Sequence, residues 1–324
     1  MQDDLVPMEQ DPDIPVYLFT GFVDAGKTKF IQETLEDKRF DSGERTLLIV
    51  CEEGELEYAP DQFCSKKVVV RYADEESEFT EALLKQWETD TGCERVLVEW
   101  NSMWMLDTLY EAMPERWIVY QEFMFADART FISYNTNMRQ QMYDKLKSCE
   151  LVVLNRFDRS QDIMPFHRII RAANRRCDIA YEDEKGKVKY DDIEDPLPFD
   201  KTAKIIEIAD KDYALWYRDL NEELKSYNGK TVRFKAQVAT SDELPEGTII
   251  VGRQMMNCCA ADIQFAGLIA VENPRGDLDG KDWVTLTASI KVKKHPGYDR
   301  PGPVLTIKEI ERCEPAEEEV ATFY

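Results

Sequence analysis

The chain has 324 residues, 43% of them hydrophobic, and its 64 acidic against 41 basic residues give a net charge of −23. That length suits about two domains, the acidity repels a phosphate backbone and so makes general nucleic-acid binding unlikely, and no apolar run nears the roughly 18 residues that cross a bilayer. The acidic start Met1-Gln2-Asp3-Asp4 lacks the basic and apolar regions of a signal peptide, so a cytoplasmic location is expected.

The first element is an apolar run at 16–20. It feeds Gly21-Phe22-Val23-Asp24-Ala25-Gly26-Lys27-Thr28, and a helical pattern in Phe30, Ile31, Thr34 and Leu35 follows. A strand, a G-x-x-x-x-G-K-T loop and a helix in that order form the context of a phosphate loop. Gly21 and Gly26 let the backbone curl so that successive N–H groups, including those at Asp24 and Ala25, face a phosphate chain. Lys27 can reach the outer phosphates, and the Thr28 hydroxyl can bind Mg²⁺.

Further strands are expected at 46–51, 67–72, 95–100, 117–123 and 151–155, with helices over 75–89, 138–147 and 165–174. Unbroken apolar runs alternating with helical patterns predict an α/β fold with a mostly parallel sheet covered on both faces. The run at 95–99 ends in Glu99, an acid placed to stand near Mg²⁺. The run at 151–155 leads into Asn155-Arg156-Phe157-Asp158, close to the N-K-x-D of GTP-binding proteins. Asp158 could accept the N1 and N2 donors of guanine, an edge that adenine lacks. Taken singly, Glu99 fits an ordinary strand-end acid and Asp158 an ordinary helix N-cap. In sequence with the glycine loop they complete a P-loop nucleoside triphosphatase pattern.

These segments resemble the CobW/HypB/UreG family of P-loop GTPases, its CobW-type branch in particular, over residues 14 to about 180. The family's P-V-x-x-L-x-G-F-L-G-x-G-K-T is matched by residues 15–28, and its N-E-x-G-E by Cys51-Glu52-Glu53-Gly54-Glu55. Its E-[ST]-[ST]-G resembles Glu99-Trp100-Asn101-Ser102, and its V-D-A resembles Ala126-Asp127-Ala128. The resemblance implies GTP binding with Mg²⁺, slow hydrolysis, and a role in metal delivery or cofactor assembly. It places Glu99 with Glu52 or Glu55 around the Mg²⁺ water shell, and Asn155 and Arg156 beside the base. Departures are clear. Asp24 replaces a glycine, Lys29 stands where a Thr or Ser contacts the α-phosphate, and Arg156 replaces a lysine. Ser102 or Met103 takes the place of the glycine that senses the γ-phosphate. The metal-binding C-x-C-C is missing, with only Cys64 near its place.

Residues 181–201 are rich in Asp, Glu and Lys and read as a connector. Beyond it, 204–208, a helix over 213–226, and strands at 231–239, 249–253, 265–271, 283–291 and 304–309 predict a small all-β domain, an OB-like barrel. Gly229, Gly247, Asn273-Pro274, Asp279-Gly280 and Pro296-Gly297 punctuate it. The domain boundaries expected are 14–182 for the nucleotide domain, 183–203 for the connector, 204–314 for the barrel and 315–324 for a mobile acidic tail. From Lys204 the chain resembles a bacterial domain also found as the soluble partner of a permease, through Gly252-Arg253-Gln254-Met255-Met256-Asn257-Cys258-Cys259-Ala260-Ala261-Asp262. The eight cysteines read as reduced thiols. Adjacent Cys258 and Cys259 would point to opposite faces of a strand. They could bind a transition metal such as Zn²⁺, with Asp262 and His295, only if the backbone turns there.

The sequence thus predicts a Mg²⁺-dependent GTPase whose partners are GTP and a metalloprotein or permease client. The alternatives are a nucleotide-binding scaffold without hydrolysis, or a metal-binding protein through Cys258 and Cys259.

Overall fold

Unbroken apolar runs in the first half of the chain become the buried strands of one sheet. In the computed structural model, which describes residues 12–240, 244–245, 247–272 and 276–323, the chain divides into two units, one ending at Asp192 and the other beginning at Ile193. The acidic start and the turn expected at Asn273-Pro274 lie outside the described residues.

The first unit contains β1 (Ile14–Gly21), α1 (Lys27–Glu36), β2 (Thr46–Val50), β3 (Val68–Tyr72), α2 (Glu81–Thr91), β4 (Arg95–Glu99) and α3 (Leu106–Ala112). It continues with β5 (Trp117–Asp127), α4 (Ala128–Asn137), α5 (Arg139–Leu146), β6 (Leu151–Asn155), α6 (Met164–Ala173), β7 (Asp178–Glu182) and β8 (Val188–Tyr190). Strand order is β3-β2-β4-β1-β5-β6-β7-β8. Pairs are parallel except β7 with β8. Every residue of β2 and β4 is buried, as helices on both faces require. On one face Val16, Leu18, Val96 and Val98 pack with Leu84, Trp87, Leu106 and Leu109. On the other, Phe19, Leu48 and Leu97 pack with Ile31 and Leu35 of α1. The expected α/β fold is the one that forms. The helix expected from 75 starts at Glu81, because Glu76–Glu78 make a separate 3₁₀ turn and the Thr80 hydroxyl caps the helix by accepting from Leu83 N.

Register carries the function. Phe19 and Val50 both pair with Glu99, Gly21 with Phe125, and Asp127 with Asn155. The loops after β1, β2, β4 and β6 therefore open at one edge of the sheet, where open α/β sheets bind ligands.

One buried acid lies away from that edge. Glu122 on β5 is 3% exposed and accepts from Ser148 Oγ at 3.0 Å and Tyr110 Oη at 3.1 Å. Burial pushes its carboxyl up to about 7, with the Asp144 charge adding and Lys147 opposing. The folded chain thus keeps a proton that the unfolded chain, titrating near 4.5, has lost. Stability is expected to fall as pH rises through that window. Glu122→Gln should remove the fall, leaving the variant about 2–3 kcal/mol less pH-sensitive between pH 5 and 8 in urea denaturation. An unchanged slope would show that Glu122 is ionised in the folded state.

In the second unit, β9 (Ile206–Glu207), α7 (Tyr213–Glu222) and α8 (Leu224–Tyr227) precede β10 (Thr231–Ala239), β11 (Ile249–Met255), β12 (Gln264–Val271), β13 (Trp283–Lys293), β14 (Gly302–Arg312) and β15 (Val320–Ala321). Five strands close in the order β10-β11-β12-β14-β13-β10, with β12 and β14 parallel. This is the barrel the turn-rich sequence predicted. Buried residues alternate along β10, as in a strand with one face inward, and Trp216 of α7 packs on Phe234 at 4.6 Å between centroids.

One expectation changes and one condition is met. The tail is not loose: β15 pairs with β11, Met256 N donates to Ala321 O at 3.0 Å, and Ala316 and Ala321 are buried. Cys258 and Cys259 lie beyond the strand, and the backbone does turn there: β11 stops at Met255 and the chain bends into a 3₁₀ turn at Ala260–Asp262.

Candidate functional site

The loop after β1 owes its path to backbone angles that few residues adopt. Gly21 and Gly26 have φ of +129° and +103°, and Asp24 has φ of +58°, the left-handed region where glycine is cheapest. Gly26 then caps α1, so the first turn of the helix opens onto the loop.

Lys27 is 2% exposed. Its ammonium donates to Gly21 O at 2.9 Å, Phe22 O at 3.1 Å and Glu52 Oε2 at 2.6 Å. Thr28 Oγ1 donates to Glu99 Oε1 at 2.7 Å, and Tyr58 Oη donates to the other oxygen of Glu99. Burial raises the Glu99 carboxyl above its ordinary value, an effect that the Tyr58 hydrogen bond and the Lys27 charge oppose. Glu52 also accepts from Ser102 N at 3.0 Å and from Ser102 Oγ. The glycine loop, the segment after β2 and the segment after β4 are thus joined through Lys27, Glu52 and Ser102.

Behind the loop, Asn155 Nδ2 donates to Ala25 O. Arg156 has φ of +55°, and its guanidinium donates to Asp24 O at 3.1 Å and Asp127 Oδ2 at 2.9 Å. Two clefts adjoin here. One, of about 250 Å³, is lined by Asp24, Lys27, Thr28, Glu52, Glu55 and Glu99 among others. The other, of about 310 Å³, lies between α1 and the ends of β6 and β7 and shares Gly26, Lys29 and Arg156 with the first.

Most of the residues expected from sequence meet at this edge. Glu55 is exposed on the rim, its N–H donating to Asp24 Oδ1 at 3.0 Å, and Lys29 pairs with Glu33 at 3.8 Å. Asp158 lines neither cleft. It is exposed, and its Oδ1 accepts from Ser160 N at 2.9 Å and Ser160 Oγ at 2.8 Å.

The segment after β4 is pinned. Trp100 is fully buried, edge-on to Phe79 and Trp104, and its indole donates to Trp104 O at 3.2 Å. Lys145, also fully buried, donates to the same carbonyl at 3.2 Å, while Leu106 N donates to Asp144 Oδ2 at 2.9 Å. Burial lowers the Lys145 ammonium to about 8. Tyr58, Asp144 and Lys145 carried no sequence signal, because the contacts that give them a role span 41, 38 and 41 residues.

Cys258 and Cys259 form no metal site with the acid expected to complete one. The Asp262 carboxylate is spent on the turn, accepting from the N–H groups of Asn257, Cys258 and Cys259 at 3.2, 2.8 and 3.4 Å. Cys258 is buried, its thiol pushed up to about 12 by desolvation and by Asp262. His295 Nδ1 accepts from Gly297 N at 3.1 Å. Among the described residues no three His, Cys, Asp or Glu side chains stand close enough to hold a metal ion. No helix among the described residues is long and apolar enough to cross a membrane.

A parallel sheet with a glycine loop at its carboxyl edge and an OB-type barrel after it define a P-loop nucleotide-binding fold joined to a β domain. Residues 185–320 match the family described as the DUF1980 C-terminal domain. Among solved structures, the chain is similar to the Zn(II)-bound YjiA GTPase from E. coli, with 17% identity over 86% of this chain and 94% of that one and a TM-score of 0.40. It is similar also to the hydrogenase maturation factor HypB from Archaeoglobus fulgidus, with 12% identity over 53% of this chain and 82% of that one and a TM-score of 0.35. No curated protein matches the chain.

Proposed function

We propose that the first unit binds GTP and hydrolyses it slowly, as a switch. The observation that carries this reading is the arrangement of the 21–28 loop: left-handed glycines, a buried Lys27 turned back on the loop, and the start of α1 behind it. Such a loop presents backbone N–H groups and an ammonium to phosphate oxygens. Thr28 Oγ1 and the Glu99 carboxylate are hard oxygen donors, and burial disfavours the charge on Glu99 until a cation meets it. That donor set fits Mg²⁺. Bound there, Mg²⁺ would neutralise charge on the outer phosphates. Lys27 would hold the same phosphates, and Asn155 would keep the loop in shape from behind.

Turnover would be slow because no side chain stands out as a water-positioning base. The resemblance of residues 14–180 to CobW-type sequences supports a role in metal delivery or cofactor assembly, with a metalloprotein or permease as client.

The pinned segment after β4 favours a second reading, a nucleotide-binding scaffold that does not hydrolyse. Ser102 on Glu52 and Trp104 on Lys145 hold the stretch where a γ-phosphate sensor must move. Titration with labelled GTP and ATP, followed by single-turnover phosphate release with and without Mg²⁺, separates them. Preferential GTP binding and slow Mg²⁺-dependent release are expected. Binding without release leaves the scaffold, and no binding ends both readings.

A further inference from the structure

We propose that the carboxylate selecting the base is Glu182, at the end of β7, and not Asp158; this rests on the GTP reading above. The larger cleft begins at Gly26, where the phosphate loop ends, and is walled by Phe30 and Phe125 on one side and the β7–β8 turn on the other. Phe157 N donates to Glu182 O at 2.8 Å, which brings the end of β7 directly beside Arg156 and Asn155. A nucleotide with its phosphates on Lys27 would therefore carry its base toward this turn.

Guanine offers two adjacent donors, N1–H and the 2-amino group, and a carboxylate answers them with both oxygens. Four carboxylates line the cleft, and three are poorly suited. Glu33 is paired with Lys29. Asp183 is bound to Arg159 Nε at 2.6 Å and to the N–H groups of Lys185 and Lys187 at 3.0 Å each, which hold its carboxyl below the ordinary value. Glu184 is exposed. Glu182 is half-buried, and among the described residues no hydrogen bond or ion pair engages its carboxylate. Asp158, by contrast, is turned onto Ser160 outside the cleft. A free acceptor pair in the cleft wall favours a base with two donors, and an unmatched base would leave it desolvated without partners.

The test is an exchange of base preference. Glu182→Gln replaces one acceptor with a donor, which opposes the guanine 2-amino group but matches xanthine, where a carbonyl takes its place. Titration of the full chain with labelled GTP, XTP and ATP should show the variant losing about tenfold in GTP affinity and gaining a similar factor for XTP, with ATP unchanged. A merely structural role for Glu182 would not move XTP upward. An unchanged GTP-to-XTP ratio in Glu182→Gln, or the exchange appearing in Asp158→Asn instead, overturns the assignment. Wild-type protein that binds GTP and ATP equally overturns it while leaving nucleotide binding intact. Wild-type protein that binds neither overturns the GTP reading itself, and the assignment with it.

Discussion

Lys27→Ala is expected to weaken triphosphate binding by about 100-fold, the loss of two charge-assisted hydrogen bonds net of the contacts broken on binding. The wild-type ammonium is already fully engaged, with three donors on Gly21 O, Phe22 O and Glu52 Oε2. Phosphate must therefore displace at least one of these, and the Glu52 pair competes directly because it satisfies the same charge. Glu52→Gln should act in the opposite direction, binding triphosphate more tightly because the competitor has lost its charge while Ser102 can still donate to its amide oxygen. Lys27→Ala also leaves Glu52, 11% exposed in the pair, without its cation, and unfolding should become easier by about 1–3 kcal/mol. Calorimetric titration of both variants at one salt concentration checks the pair of signs. Undiminished binding by Lys27→Ala would remove this lysine from the phosphate site, and weakened binding by Glu52→Gln would show that Glu52 assists rather than competes.

How much of this was visible in the sequence depends on whether a feature is local. The glycine loop, the unbroken apolar strands β2, β4 and β6 and the alternating β10 are local patterns, and the structure realises each of them. β5 runs four residues beyond its expected end at 123, because its ladder with β6 continues from Phe123 to Asp127, where Asp127 caps α4 by accepting from Arg129 N. α3 has seven residues, too short for helical periodicity to stand out. β8 is exposed at every residue within an acidic, lysine-rich stretch and is held by its ladder with β7. The tail looked free for the same reason: its partners, Gln254 and Met255 on β11, lie some sixty residues earlier in the chain. At the site, Lys27, Thr28 and Glu99 were named from the motif. Tyr58 and Lys145 gain their roles only from contacts that folding creates, and the role proposed for Glu182 rests on its place in the cleft wall. Asp158 shows the converse, a motif residue whose side chain is satisfied locally by Ser160.

The two loop glycines should fail differently when given a side chain. A Cβ on Gly21 would lie 2.0 Å from Phe125 O and 2.9 Å from Phe125 C, main-chain atoms of β5 that sit opposite Gly21 in the sheet. Nothing there can rotate away, so Gly21→Ala must part β1 from β5 or abandon φ of +129°. Strain and overpacking together cost about 3–5 kcal/mol, which corresponds to a fall of about 10 °C in Tm for a unit of this size. A Cβ on Gly26 would lie 2.3 Å from Asn155 Nδ2, the end of a side chain that can swing aside at the expense of its bond to Ala25 O. Gly26→Ala should therefore fold with a smaller loss of Tm and lose triphosphate binding, because the cradle is distorted where the helix begins. If the Asn155 amide is the obstacle, Asn155→Ala should restore part of the stability lost by Gly26→Ala, a coupling that a double-mutant cycle reads directly. It should do nothing for Gly21→Ala. Additive losses in the first cycle would show that backbone strain at φ of +103°, and not the amide, sets the cost at Gly26.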